Sequence, residues 1–282
     1  MQTFSGEVFV IGAGAMAEAF VKGVLEKRAI TADRLVVTGR ALGGRAAALG
    51  ERYGVRVAGM EAAASARLVF LAVKPADVAE ALAQVRPHLN GQPLVSFAAG
   101  VTMGWMAEII EHRSPVVRTM PNIPVGVQEG VTAISFPEGG LEERDRRDIL
   151  FLLEQLGEVV EIPERLMNAA TAFSGSGPGF VCYFLEAMEQ AAIRLGFDPL
   201  LARALLLQTV VGTARTLREW GLAPDELRRR VTSPGGTTQA GVAVMEDGRL
   251  REIVDAALQA AARRSEEMGQ AYAVAGESAA RE

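Results

Sequence analysis

The chain has 282 residues, 49% hydrophobic and 22% charged, with a net charge of −5, so it reads as an ordinary soluble protein long enough for two domains. Basic residues are scattered, which argues against a nucleic-acid partner; no run reads as a membrane span, and the start lacks the basic-then-apolar pattern of an export signal. A single cysteine and two histidines exclude an intrachain disulfide and offer no zinc cluster, so no metal is expected and a reducing cytoplasm fits.

In chain order, the first element is the apolar run Val8-Phe9-Val10-Ile11, followed by Gly12-Ala13-Gly14-Ala15-Met16-Ala17 and an alanine-rich amphipathic stretch over 15–27. This is the strand-turn-helix of a dinucleotide site: Gly12 makes the tight turn, Gly14 lets backbone reach a pyrophosphate, and Ala17 permits close helix-strand packing. The second strand, 35–38, ends in Thr38-Gly39-Arg40, where an NAD-preferring site usually carries an acid; none occurs before Glu51. A hydroxyl and a guanidinium suit a 2′-phosphate, which favours NADPH, with NADH as a second donor.

Further strands are expected at 55–57, 68–73, 94–97, 116–119, 131–135 and 158–162, with helices at 43–53, 76–86, 103–112 and 142–156. The alternation predicts a parallel, doubly wound sheet in a first domain, 1–163. Leu71-Ala72-Val73-Lys74-Pro75 and Arg118-Thr119-Met120-Pro121-Asn122-Ile123-Pro124 fall at strand ends, where open α/β sheets bind ligands.

After Pro163 the strands stop, and helices are predicted at 165–195, 199–220, 224–231, 237–246 and 249–269, with a fraying tail, in a second domain, 164–282. Asp198 is a cap with Pro199 at the first helical position, and Gly221 ends the same helix. Cys182, in an apolar stretch, is expected to be buried, and Arg228-Arg229-Arg230 reads as a solvated helix face. Leu205-Leu206-Leu207 and Val210-Val211 leave the 199–220 helix with little polar face, which predicts cover by another subunit. Thr171 to Pro178 is a small-residue bend whose glycines cost ~1 kcal/mol each inside a helix, so close approach of a helix or a ligand is expected there. Thr232-Ser233-Pro234-Gly235-Gly236-Thr237-Thr238 is a break before a helix start, and bare N–H groups beside hydroxyls make a seat for a carboxylate or phosphate.

The set G-x-G-x-M-A, L-A-V-K-P, S-x-A-A-G-V (Ser96 to Val101), M-P-N-x-P, S-G-S-G-P and S-P-G-G-T-T, in that order, resembles pyrroline-5-carboxylate reductase from about Val8 to Gly269. The resemblance implies a Rossmann-type domain followed by an all-α dimerisation and substrate-binding domain. It implies NAD(P)H-dependent reduction of the small-molecule imine 1-pyrroline-5-carboxylate to L-proline by a homodimer joined through its C-terminal helices, extendable to a ring of dimers. It also implies cofactor contacts at Ala72, Val73, Lys74, Pro75, Ala98, Ala99 and Asn122, added to Gly12, Ala13, Gly14, Ala15, Met16, Thr38 and Arg40. Substrate contacts are implied at Glu164, Ser176, Val231, Ser233, Gly236, Thr237 and Thr238, with the Thr238 hydroxyl on the ring nitrogen as the catalytic contact. Lys74 lines the cofactor in that family and is not read as an acid. Two departures leave open a catalytically weak regulatory paralogue or a reductase of a related imine. Gly59 stands where many members carry an asparagine, and Gly221-Leu222-Ala223-Pro224 keeps only the proline of a glutamate-histidine-proline run. A β-hydroxyacid dehydrogenase relative is disfavoured, because no lysine occurs between Leu166 and Leu195.

Overall fold

The protein is described from a computed structural model, which covers residues 3–279; residues 280–282 of the predicted second domain lie outside the described residues. The chain forms two compact units, one running to Ser176 and taking in the residues from Gln259 onward, the other Gly177–Leu258. That division falls later than residue 163, and it returns the end of the chain to the first unit.

The first unit is built on one eight-stranded sheet in the order β3-β2-β1-β4-β5-β6-β7-β8. The strands are β1 (Val8–Ile11), β2 (Leu35–Thr38), β3 (Arg56–Val57), β4 (Leu68–Leu71), β5 (Leu94–Ser96), β6 (Val116–Pro121), β7 (Gly130–Ser135) and β8 (Gly157–Glu161). Strands β1, β2, β4 and β5 are buried at every position, which is why β1 and β4 read as unbroken apolar runs and β2 and β5 break only at their last residues, Thr38 and Ser96. Helices α1 (Ala15–Glu26), α2 (Arg45–Tyr53) and α5 (Glu143–Leu153) pack on one face, where Phe20 and Phe70 meet with ring centroids 4.4 Å apart. Helices α3 (Val78–Val85) and α4 (Met103–Ile109) pack on the other, around Phe9, Leu82 and Met106. Each such fully buried side chain contributes ~1.5–3 kcal/mol. Helix α4 stops short of 112 because Glu111 and His112 turn to positive φ (54° and 53°).

The sheet is not wholly parallel. β7 runs antiparallel to β6, and β8 follows β7. The residues between Pro121 and Gly130 form a short 3₁₀ turn, far less than the dozen or more residues a parallel crossover needs, so the chain must double back. The order β2-β1-β4 leaves the switch point of the sheet between β1 and β4, at the carboxyl ends of the strands.

After β8 come α6 (Met167–Ala170), a π-helical turn at Thr171–Gly175, and α7 (Gly177–Arg194). They are followed by α8 (Pro199–Trp220), α9 (Pro224–Arg230), α10 (Thr237–Asp247) and α11 (Leu250–Ala279). Asp198 caps α8 by accepting from Leu200 N–H at 2.9 Å, and Gly221 ends it in the left-handed region at φ 61°. The tail beyond Gly269 stays helical to Ala279 instead of fraying, as its alanine and glutamate content favours. The end of α11 docks on the first unit: a Cβ at Gly269 would stand 2.2 Å from the Gly100 carbonyl oxygen, so backbone meets backbone there.

Cys182 is exposed, not buried, because α7 presents that face to no other part of the described chain. Only Ala202 of α8 is buried, while Leu205, Leu207 and Val211 are about half exposed. One helix among the described residues, α8, is long and apolar enough to cross a membrane. The sequence analysis expects no such run; Arg203, Arg215 and Arg218 interrupt this one, yet an 18-residue window of it is apolar enough.

Candidate cofactor and substrate sites

A cleft of about 760 Å³ opens at the switch point of the first unit. Of the predicted cofactor residues, Gly12, Ala13, Gly14, Arg40, Ala72, Val73 and Lys74 line it. Gly12 has φ 115°, and its N–H donates to the Thr38 carbonyl at 3.0 Å, tying the buried end of β2 to the turn. A Cβ at Gly12 would stand 2.4 Å from the Ala72 carbonyl oxygen, so β1 and β4 close together only because the residue is glycine. Gly14, in contrast, has open space around its missing side chain. It is the N-cap of α1, so the N–H groups of Ala15 and Met16 lie in the first turn, where no intrahelical acceptor exists. An open glycine cradle beside a bare helix start fits a pyrophosphate.

Other predicted positions fall elsewhere. Pro75 begins a 3₁₀ turn just past Lys74. Ala98 is buried, with its N–H on the Ser96 hydroxyl at 3.2 Å, and Ala99 follows it half-buried. The Asn122 amide bridges backbone: it donates to the Ser174 carbonyl at 3.2 Å and accepts from Val131 N–H at 3.0 Å. It therefore joins the β6–β7 link to the π-helical turn. That turn closes with Ser176 N–H on the Thr171 carbonyl at 2.8 Å, an i to i+5 bond. Gly175 packs so tightly on Met120 that a Cβ would come within 2.6 Å of Cε, so its glycine makes close packing possible.

Glu164 lies just past β8, and its carboxylate is engaged. Oε1 accepts from Met103 N–H at 2.7 Å and from Arg118 Nη1 at 3.3 Å. Arg118 is 3% exposed, and its other nitrogen donates to Asn168 Oδ1 at 3.2 Å. Ser265 of α11 donates to the same oxygen at 3.1 Å. Burial pulls the Arg118 pKa down, and the Glu164 charge opposes that. Sequence reasoning quoted Arg118 only as part of a motif; its signal was a lone cation inside the apolar strand Val116-Val117-Arg118.

In the second unit, Thr232 to Thr238 forms a tight start to α10. Gly235 has φ 70°, Gly236 N–H donates to the Ser233 carbonyl at 3.0 Å, and Gln239 Oε1 accepts from Gly235 N–H at 2.6 Å. A Cβ at Gly236 would stand 2.4 Å from Ser233 Oγ, so any other residue there would push the serine hydroxyl aside. Gly236 is the N-cap, with Thr237 and Thr238 in the first turn, which brings Ser233, Gly236, Thr237 and Thr238 to one helix start. Val231, exposed, ends α9 immediately before this loop. Arg229 and Arg230 pair with Asp225 and Glu226 one turn back, as a solvated face would. Gln239 was not foreseen.

Residues 164–268 match the family described as pyrroline-5-carboxylate reductase dimerisation, and residues 7–100 match NADP oxidoreductase, coenzyme F420-dependent. Pyrroline-5-carboxylate reductase 2 of Bacillus subtilis is 35% identical over 268 residues, which cover 93% of this chain and 95% of that one. The chain belongs to the pyrroline-5-carboxylate reductase family. The Synechocystis pyrroline-5-carboxylate reductase is 36% identical over 262 residues, 92% of this chain and 97% of its own. Among solved structures, the pyrroline-5-carboxylate reductase of Coxiella burnetii superposes with a TM-score of 0.88 at 31% identity, covering 94% of this chain and 99% of that one. The Plasmodium falciparum pyrroline carboxylate reductase with NADP bound gives 0.85 at 26% identity, covering 95% and 99%. As in that family, a doubly wound Rossmann-type domain is followed by a helical dimerisation domain, and the chain is an oxidoreductase that assembles with itself.

Proposed function

We propose that this reductase converts 1-pyrroline-5-carboxylate to L-proline, the last step of proline biosynthesis, in the cytoplasm, using NADPH and secondarily NADH. The observation that carries the reading is the pairing, in one chain, of a glycine cradle at the sheet switch point with a Ser233–Thr238 helix start built for a carboxylate. The functional halves are 1–163 for the cofactor and 164–282 for substrate and assembly, which agrees with the family match beginning at residue 164.

The bound dinucleotide supplies a hydride to the imine carbon. The chain holds and aligns. Gly12, Ala13 and Gly14, with the N–H groups of Ala15 and Met16, receive the pyrophosphate; Arg40 stands at the adenosine end of the cleft, while Thr38, expected there too, is buried at the end of β2 and gives its carbonyl to the Gly12 turn. Ala72, Val73 and Lys74 complete the cleft, and Pro75, Ala98, Ala99 and Asn122, which follow β4, β5 and β6, extend the cofactor side beyond its lining. The Thr237 and Thr238 N–H groups, with the Ser233 hydroxyl, hold the carboxylate beside Gly236, whose own N–H is committed to the Ser233 carbonyl; Val231 and Ser176 flank the substrate. Glu164, whose Oε1 is held by Arg118 and the Met103 N–H, presents its other carboxylate oxygen to the substrate. The imine enters protonated and its N–H donates to Thr238 Oγ1, so the hydride neutralises the iminium and no side chain need release a proton. The apolar faces of α7 and α8 are covered by a second copy, not by lipid, and dimers can close into a ring; nucleic acid has no part.

The direct test follows cofactor absorbance with purified protein and pyrroline-5-carboxylate; no turnover with NADPH or NADH would end this reading. Thr238→Ala is expected to lower kcat/KM for the imine by about fivefold, the ~1 kcal/mol of one neutral hydrogen bond, and to leave NADPH affinity alone. A loss beyond about a hundredfold would assign proton delivery to Thr238. Gly12→Ala is expected to lose dinucleotide binding in a titration, because its Cβ would collide with the Ala72 carbonyl at 2.4 Å and φ is 115°. Unchanged affinity would place the pyrophosphate elsewhere.

A further inference from the structure

The loop after β2 carries a second arginine. Arg45 stands at the first position of α2 and lines the same cleft as Gly12 and Arg40. Gly44, at φ 63°, turns the chain into that helix, and Gly43 and Gly44 have open space around their missing side chains. The backbone is thus bare toward a ligand where the second strand of such a fold addresses the adenosine ribose.

The two guanidinium groups differ in what they already hold. Arg40 donates from Nη2 to Asp77 Oδ1, a carboxylate on the loop after β4 that also lines the cleft. Glu80, one turn further on, lines it as well and accepts from Gln84 at 3.2 Å. Arg45 has no hydrogen-bond or ion-pair partner among the described residues. A dianionic phosphate arriving at Arg40 must either displace Asp77 or sit against a like charge. At Arg45 it meets an uncommitted fork beside the positive end of a helix.

We propose that Arg45 is the principal reader of the 2′-phosphate, and that Asp77, by holding Arg40, tempers the preference for NADPH so that NADH remains usable. The inference rests on the cofactor reading above and adds two specificity residues to it. In this scheme Arg40 mainly neutralises Asp77, and its removal would leave a bare carboxylate facing the phosphate.

The test needs no turnover. The full-length protein is titrated calorimetrically with 2′,5′-ADP and with 5′-ADP, and the ratio of the two Kd values isolates the 2′-phosphate. Wild type is expected to bind 2′,5′-ADP more tightly. Arg45→Ala should cut that advantage about tenfold, the scale of one charge-assisted hydrogen bond. Asp77→Asn should enlarge it, and Arg40→Ala/Asp77→Asn should bind 2′,5′-ADP more tightly than Arg40→Ala alone. These are exposed or half-exposed positions, and thermal unfolding checks that each variant is folded. An Arg45→Ala ratio equal to that of wild type would overturn the role of Arg45. An Asp77→Asn ratio equal to or below wild type would overturn the tempering. A wild-type protein that binds neither probe would overturn the cofactor reading itself, a failure distinct from the other two.

Discussion

Leu207→Asp combined with Val211→Asp is expected to give a folded monomer without activity. Both side chains are 51% exposed in the single chain and lie one turn apart on α8, so in an isolated subunit each new carboxylate meets water. Packed against a second copy, each would be stripped of water with no partner, at several kcal/mol per ion. Light scattering should report the mass of one subunit, and circular dichroism should retain the helical signal. NADPH oxidation should vanish, because the Thr232–Thr238 loop belongs to the same helical unit as α8. A variant that still assembles would move the interface off this face. A stable and fully active monomer would show that assembly is dispensable for catalysis.

Arg118→Met should be the most destabilising single change near the site. Arg118 is 3% exposed and holds Glu164 and Asn168 at once. Its loss leaves a partly buried carboxylate with one N–H donor and an amide oxygen with only Ser265. Breaking a buried pair costs about 3–5 kcal/mol, and because the Glu164 side chain is 30% exposed the lower end applies here. Differential scanning calorimetry should show Tm lowered by roughly 6–12 °C. Arg118→Lys should recover little, since one ammonium cannot span both acceptors as a planar fork does. A Tm within a degree or so of wild type would mean that solvent replaces the network at no net cost.

All eight strands and the helical second half could be located from residue pattern, most plainly where a strand buried on both faces is apolar throughout, as Val8–Ile11 and Leu68–Leu71 are. What escaped was non-local. The reversal of β7 depends on the few residues between Pro121 and Gly130, whose apolar content says nothing of direction. The exposure of Cys182 depends on which surface of α7 lacks cover within one chain, which an apolar stretch cannot reveal. The glycine cradle and the Ser233–Thr238 helix start were legible because each is a local backbone requirement. The commitments of the charged groups were not: Arg40 meets Asp77 across 37 residues of sequence and Arg118 meets Glu164 across 46. The place of Arg45 in the cleft is not legible at the strand end, because the loop turns once more before α2 begins.

The path of α11 bears on the order in which the molecule can be made. Its opening turns belong to the contiguous unit Gly177–Leu258, while its closing turns rejoin the sheet-bearing unit, placing Ser265 on Asn168 and Gly269 against Gly100. The helical unit is therefore an insertion within the other, and it is the one whose residues leave the ribosome without interruption. The nucleotide-binding half begins synthesis first yet finishes last: Asn168 must wait 97 residues for its serine. Domains commonly mature from the amino end as they emerge. Here α11 acts as a late clasp, so a nascent chain holds its cofactor half unlatched until residues 265–269 have emerged.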